Sequence, residues 1–221
     1  MRTAGIAGGM KYKMKSILIS THPEWCEKIC HVIGKEEAGK PIYEKRIEVR
    51  KSAPKEVPFK AYIYCTSSNV HDCILIDKSG LVLTYATNHK TAIVDSGYCG
   101  NGKVIGEFIC DKVYLIKNQR NRFVVANEEQ GVTNEIARQS CLDYDDMVNY
   151  LGDKDGYGWH ISDLKIYNKP KELSEFCIPC KGSCENCKNP LYFECRCEEK
   201  GKKIVTRPPQ SWQYVEELGN E

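Results

Sequence analysis

Three charged residues at close spacing hold the most chemistry in this sequence. Lys45, Glu48 and Arg50 lie in the run IYEKRIEVRKS (42–52), where Ile47 and Val49 alternate with Glu48 and Arg50. On a strand, alternation puts Glu48 and Arg50 on one face and the two aliphatic residues on the other. Ionised side chains along one strand face need water, a ligand or mutual pairing. Three uses stay open for them: a cross-strand ion network, a ligand site, or a catalytic site. Arg50 offers a fork of donors for a phosphate or a base edge, and Lys45 a mobile point charge. Tyr43, Tyr62, Tyr64, Tyr157 and Trp159 are aromatic surfaces of the kind that stack on bases, although aromatics at alternate strand positions usually pack into a core. His160, between Trp159 and Ile161, is either a structural histidine bonded to a backbone carbonyl or a donor facing a cleft. His22 and His160 show no metal-ligand spacing, and HISD is too generic to define a triad.

The second constellation is cysteine. Six of the 13 cysteines fall between Cys177 and Cys197, in the pattern C177-x2-C180-x3-C184-x2-C187-x7-C195-x-C197. Two C-x2-C pairs suit a tetrahedral thiolate site, so Cys177, Cys180, Cys184 and Cys187 are expected to hold one structural Zn2+, with Cys195 or Cys197 able to replace a member. Free thiols and an iron–sulfur cluster are the other options. An all-cysteine site leaves no open coordination position, which makes it structural rather than catalytic. A segment this short has no core of its own and would draw folding energy from the metal. The odd total, with no secretory signal, points to a reducing, cytoplasmic setting.

The elements that would position these residues follow from periodicity. SILIS (16–20) reads as a strand, and THPEWCEKI opens a helix with Pro23 in its first turn. KEEAGKP (35–41), which follows Gly34 and contains Gly39, reads as a loop. AYIYCTSS (61–68) is a strand, and ILIDKSGLVLTY (74–85) a hairpin. KVIGEFICDKVYLI (103–116) is strand with room for a bulge near Gly106, and FVVAN (123–127) a shorter strand. Residues 128–140 mix helix and loop, and 143–151 form a helix opened by Asp143 and closed at Gly152. GYGWHISDLKIY (156–167) returns to strand. Short strands with few helices predict a mixed α+β fold, a small curved sheet or incomplete barrel rather than a doubly wound one. There is no phosphate-binding loop, dinucleotide fingerprint or repeat.

Length and composition limit the function classes. The 221 residues are 41% hydrophobic and 28% charged, which describes a chain able to bury a core. No apolar run reaches the roughly 18 residues needed to cross a bilayer, so no membrane partner is expected. The net charge of +2 gives no global argument for nucleic acid, but residues 1–60 carry 13 basic against 7 acidic residues. The domain expectation is a loose leader at 1–13, a main domain at 14–176, a Cys-rich module at 177–200 and a C-terminal segment at 201–221 that packs Trp212 and Tyr214 back onto the main domain.

Several segments, in order, resemble a known family. SILISTHPEWCEKI, KRIEVRK, PFKAYIYCTS, GKVIGEFICDKV, GWHISDLKIYNKPKELSEF and RPPQSWQYVEEL together are similar to the ASCH domain of the PUA-like superfamily, in a form found among phage and low-GC bacterial proteins. The resemblance covers roughly residues 15–176. It implies a small curved PUA-like β-barrel with flanking helices, to which the Cys-rich, zinc-knuckle-like element is an addition. The family signature is Gly, Lys two positions on, Glu three after the Lys, and Arg two after that. Lys45, Glu48 and Arg50 match it, while Tyr43 stands in place of the Gly and the preceding turn is expanded through 34–42.

Small bacterial relatives hydrolyse N4-acetylcytidine, a reaction attributed to a Lys, a Thr and a Glu. Lys45 matches the Lys, Glu48 stands where the Thr belongs, and Glu107 is the counterpart proposed for the Glu. Hydrolysis here would need a carboxylate, Glu48 or Glu107, to activate water, and Lys45 at the developing oxyanion. The resemblance therefore implies first a binding module for RNA or a modified nucleotide, with a cleft around Lys45, Glu48 and Arg50 and with Tyr43, Trp159 and His160 as further ligand contacts. An amidohydrolase acting on an acylated nucleoside and a non-enzymatic, protein-binding regulator are the alternatives.

Overall fold

The computed structural model describes residues 14–67, 72–77, 82–86, 97–119, 122–179 and 203–218. Its centre is a five-stranded sheet in the order β13-β9-β5-β1-β14: β1 (Lys15–Thr21), β5 (Phe59–Cys65), β9 (Val104–Cys110), β13 (Ser162–Lys171) and β14 (Trp212–Val215). β5 is buried on both faces because its odd positions, Phe59, Ala61, Ile63 and Cys65, enter one core cluster, while Tyr62 and Tyr64 enter another. β1 and β5 run parallel, and the rest of this sheet is antiparallel. A parallel neighbour requires a long crossover. This one contains α1 (Pro23–Cys30), the hairpin β2 (Val32–Lys35) and β3 (Pro41–Tyr43), and β4 (Ile47–Arg50).

β4 belongs to a second sheet in the order β11-β10-β12-β4, with β10 (Val113–Gln119), β11 (Arg122–Val125) and β12 (Gly156–His160). One face of it packs Ile47, Val49, Ile116 and Val125 against Ile136 of α2 (Gln130–Ser140) and Met147 and Leu151 of α3 (Tyr144–Leu151). The Asp143 carboxylate accepts the Asp146 N–H and the Asp146 carboxylate accepts the Asp143 N–H, a reciprocal cap that starts α3 where the sequence places it. The opposite face sends Trp159 into the main core beside Phe59, their rings edge to face at 5.1 Å. The structure is thus layered, helices on sheet on sheet, with the segment around Phe176 and Val205 covering the outer face of the larger sheet. A third sheet, β7-β6-β8, joins β6 (Asp72–Asp77), β7 (Val82–Ala86) and β8 (Gly97–Cys99), as the hairpin expectation required. At Gly106 an added Cβ would lie 2.5 Å from the Lys165 carbonyl, and the pairing on both sides of β9 shifts register nearby. Glycine there permits the expected bulge.

Two expectations are corrected. The strands do not close into a barrel: the sheets have free ends, at β13 and β14 in one and at β11 and β4 in the other. Closure requires the end strands to pair with each other, and here they do not. The zinc-knuckle element and its Zn2+ are not found either: among the described residues no group of three or more His, Cys, Asp or Glu is placed to hold a metal ion. Of the expected ligands only Cys177 is among the described residues; its thiol is free and its backbone bridges to Ile204. Cys180, Cys184 and Cys187 lie outside the described residues. The buried thiols Cys26, Cys30, Cys65 and Cys110 serve instead as core filling. Burial raises Cys26 and Cys30 well above the ordinary thiol value and pushes Cys110 up to about 12, so they stay protonated and inert. No helix among the described residues is long and apolar enough to cross a membrane.

Phe108 is fully buried where the larger sheet meets the main core. Phe108→Ala is expected to cost about 3–5 kcal/mol of unfolding free energy by urea denaturation. A loss within about 0.5 kcal/mol would contradict this packing.

Candidate functional site

Lys45, Glu48 and Arg50 meet at the seam between the two larger sheets. β4 alternates as its sequence predicts: Ile47 and Val49 enter the helix-side core, which turns Glu48 and Arg50 to the other face. Pairing with β12 sets Glu48 opposite Trp159 and Arg50 opposite Tyr157. Lys45 precedes the strand, where its own N–H donates to the Lys28 carbonyl at 2.9 Å and Arg46 N–H donates to the Gln139 carbonyl at 2.9 Å. Those two bonds anchor the chain to the ends of α1 and α2 and turn the Lys45 side chain inward.

The three residues are 2%, 6% and 5% exposed. Arg50 Nη2 lies 2.7 Å from Glu48 Oε1 and donates to Thr21 Oγ1 at 3.0 Å. Arg50 Nη1 donates to the Ser20 carbonyl at 2.9 Å and the Ser211 carbonyl at 3.4 Å. Lys45 Nζ donates to the Ser140 carbonyl at 2.5 Å and stands 3.6 Å from Glu48 Oε2. Burial holds the Lys45 ammonium below its usual value, against the opposing pull of the Glu48 carboxylate. Hydrogen bonding is incomplete, however. Glu48 Oε2, Arg50 Nε and Trp159 Nε1 are buried and have no hydrogen-bond partner in the protein. Such groups are rare in folded proteins, and each calls for an explanation.

Aromatic side chains surround this cluster. The Trp25 ring centroid lies 5.1 Å from Lys45 Nζ and 6.0 Å from Lys28 Nζ. The Tyr150 hydroxyl interacts with Arg50 and Ser211, and burial raises its pKa, making it a weaker acid than an exposed tyrosine. Trp212 meets Trp159 edge to face at 6.1 Å and donates from Nε1 to Ser52 Oγ at 3.0 Å. Trp25, Tyr150, Ser140 and Ser211 are site residues that the sequence reading missed. Their partners lie up to 161 positions away, and no local pattern marks them. Trp25 reads in sequence only as part of an apolar helical stripe.

The remaining sequence candidates lie elsewhere. Glu107 is the register partner of Tyr62, on the outer face of the larger sheet, across the sheet from the Lys45 cluster. There it accepts a 2.6 Å hydrogen bond from the Tyr167 hydroxyl and lies 3.6 Å from Lys60, which also pairs with Glu217. Glu107 fastens the C-terminal segment rather than facing Glu48. His160 Nδ1 lies 2.6 Å from Asp111 Oδ1, and this contact lowers the Asp111 acid against the effect of its partial burial. Tyr43 is half-buried in the β2–β3 hairpin, and no hydrogen bond, ion pair or ring contact joins it to the cluster. Trp159 is present at the cluster, but fully buried.

No protein-family model matches this sequence, and no curated protein matches it. Among solved structures, the chain is similar to ASCH from Zymomonas mobilis, with 14% identity, 91% of this chain and 88% of that one covered, and a TM-score of 0.45. Two variants of the same protein, one with a serine changed to alanine and one with a tyrosine changed to phenylalanine, also align over 91% of this chain at 14% identity. They are covered over 89% and 91% of their lengths, with TM-scores of 0.44 and 0.41. Likeness at this level of identity and superposition carries no functional assignment.

Two outcomes test the cluster. Glu48→Ala leaves two buried cations without their carboxylate and is expected to destabilise the fold by about 3–5 kcal/mol in urea denaturation. A loss under about 1 kcal/mol would show that the cluster is hydrated and open. The second concerns pH. Because the folded Lys45 value lies below the ordinary 10.5, the unfolded chain binds more protons in the window between them, and unfolding free energy rises with pH there. Lys45→Met is expected to remove that rise relative to wild type, and an unchanged slope would contradict the burial of a charged lysine.

Proposed function

We propose that this chain binds RNA or a modified nucleotide through the Lys45–Glu48–Arg50 cluster. The observation that carries the reading is a buried group of ionised side chains with hydrogen-bonding capacity to spare, enclosed by aromatic rings. Stability alone is a poor reason to keep such a group, because apolar side chains of similar volume commonly serve a core as well or better. A site for a planar, polar ligand needs a few placed polar groups and aromatic walls, which is what this seam contains. The exposed Lys51, 5.3 Å from the Tyr150 ring, supplies a cation at its margin for a phosphate backbone, while Lys28 beside Trp25 is paired with Glu44 at 3.2 Å. The sequence resemblance to the ASCH domain supports the same reading.

Binding is favoured over hydrolysis because, although Glu48 and Lys45 meet at 3.6 Å, the rest of the set that the relatives' reaction is attributed to is missing. Glu107, the second carboxylate the resemblance suggests, is on the far side of the sheet, and the expected Thr is replaced by Glu48. Entry to the cluster requires a covering element to move. β14 is the edge strand of its sheet, four residues long, and sets the Ser211 carbonyl on Arg50 and the Trp212 ring on Trp159.

The test is fluorescence anisotropy with labelled short single-stranded RNA, competed by modified and unmodified nucleosides. Wild-type protein is expected to bind, and Trp25→Ala to weaken binding by about 1–3 kcal/mol, the value of one base–aromatic stack. Lys51→Glu should reduce only the salt-dependent part of the affinity. Equal binding by Trp25→Ala and wild type would contradict this placement of the site.

A further inference from the structure

The pieces that close the cluster differ in how firmly they are held. α1 places Cys26 and Ile29 in the main core, and α2 and α3 place Ile136, Met147 and Leu151 in the helix-side core. β14 buries only Val215 of its four residues. It pairs with β1 from Ser16 to Ile19 and, among the described residues, has no strand on its other side. Its docking also leaves polar atoms unpaired. Gln213 Nε2 and, on the paired strand, Ser16 Oγ are buried and have no hydrogen-bond partner in the protein. Desolvated polar atoms of this kind weaken the docking that buries them.

The same segment is fastened from the far face of the sheet. Beyond β14 the chain reaches across β1 to β5, where Glu217 Oε1 lies 3.0 Å from Lys60 Nζ and the Leu218 N–H donates to the Tyr62 hydroxyl at 3.0 Å. The Glu216 N–H donates to the Cys177 carbonyl at 2.8 Å. Lys60 and Tyr62 are the register partners of Ser16 and Leu18, which puts this fastening one strand away from β14. The other end of the segment meets the cluster. The Ser211 carbonyl accepts the Ser20 N–H at 3.0 Å and Arg50 Nη1 at 3.4 Å, and the Trp212 ring lies against Trp159.

We propose that residues 211–218 form a strap that lifts from β1 to open the cluster, and that Lys60 and Tyr62 hold it shut from the opposite face of the sheet. The strap stands on these contacts alone, while the ligand it admits rests on the nucleotide-binding reading above. Lifting takes the Ser211 carbonyl from Arg50 and the Trp212 ring from Trp159. It leaves the Arg50 bonds to the Ser20 carbonyl, Thr21 and Glu48 in place, so the cluster is uncovered without being taken apart. Release of Glu217 leaves Lys60 with a second carboxylate, Glu107, at 3.6 Å, which keeps the cost of opening low. Lys60 and Tyr62 thus set the closed population without touching the ligand. Apparent affinity falls in proportion to the fraction of molecules that are open.

Hydrogen–deuterium exchange of the full chain, wild type and Glu217→Ala, tests the strap, with labelled single-stranded RNA as the ligand probe. In wild-type protein the Trp212–Val215 amides should exchange about tenfold or more faster than those of β5 and β9. Glu217→Ala removes a partly buried ion pair and should speed exchange in β14 roughly two- to fivefold, leaving β5 and β9 unchanged. The variant should bind the RNA more tightly by the same factor. Should it fail to fold, Tyr62→Phe, which removes the acceptor of the Leu218 N–H, takes its place. Exchange in β14 no faster than in β5, or acceleration spread over all three strands, would overturn the strap. Faster exchange confined to β14 with unchanged RNA affinity would overturn its role as the gate. Faster exchange confined to β14 in a protein that binds no RNA would support the strap and overturn the nucleotide-binding reading.

Discussion

The Glu48 carboxylate, taken out of water between Lys45 and Arg50, is the constraint around which this part of the molecule is arranged. An ionised carboxylate in a seam between sheets is tolerable only when its charge is matched and its oxygens are engaged. Arg50 meets one oxygen and then ties itself to β1 and the start of β14 through the Ser20, Thr21 and Ser211 contacts. Lys45 stands by the other oxygen and ties itself to the end of α2 through the Ser140 carbonyl. One carboxylate thereby links both sheets and a helix terminus. The same arrangement leaves part of the Glu48 and Arg50 hydrogen-bonding capacity unused, and the proposed binding site rests on that surplus.

The two sides of the central sheet divide the work. On the inner side, β4 and β12 bring charge and indole against β1, and the covering pieces are helix ends and an edge strand. On the outer side, Tyr62, Glu107, Tyr167 and Lys60 form a second polar group whose partners are satisfied by one another and by Glu217 and the Leu218 N–H. That outer group holds the C-terminal segment down, and the segment's other end supplies Ser211 and Trp212 to the inner site. β14 thus runs between a firm anchor and the cover of the cluster.

Much of this was legible in the sequence where periodicity and end signals agree. The strands at Lys15–Thr21 and Phe59–Cys65 follow from their apolar runs, α1 from Pro23, and α3 from the Asp143 and Asp146 cap. The triplet was legible because alternation separates Glu48 and Arg50 from Ile47 and Val49. Its partners were not, since Ser140, Tyr150 and Ser211 reach it through sheet pairing and helix docking that no local spacing encodes. Glu107 shows the same limit: the pairing with Tyr62 decides which face it occupies, and a strand read alone does not reveal it. Residues 36–40 form the loop read at KEEAGKP, while the strands that flank it, β2 and β3, are short and not fully buried, with no alternation to read. Barrel closure likewise depends on which strands end up as edges, a property of the assembled sheets.

The most direct test of the central claim uses the three tryptophans, because Trp25, Trp159 and Trp212 all border the cluster. Nitrogen-15 labelling of the indoles gives each N–H its own resonance, to be followed while a nucleoside that binds is added. The account predicts a saturable shift of the Trp159 indole N–H, whose donor has no partner in the free protein. A Trp159 resonance that stays fixed while the nucleoside binds would place the ligand elsewhere and contradict the account.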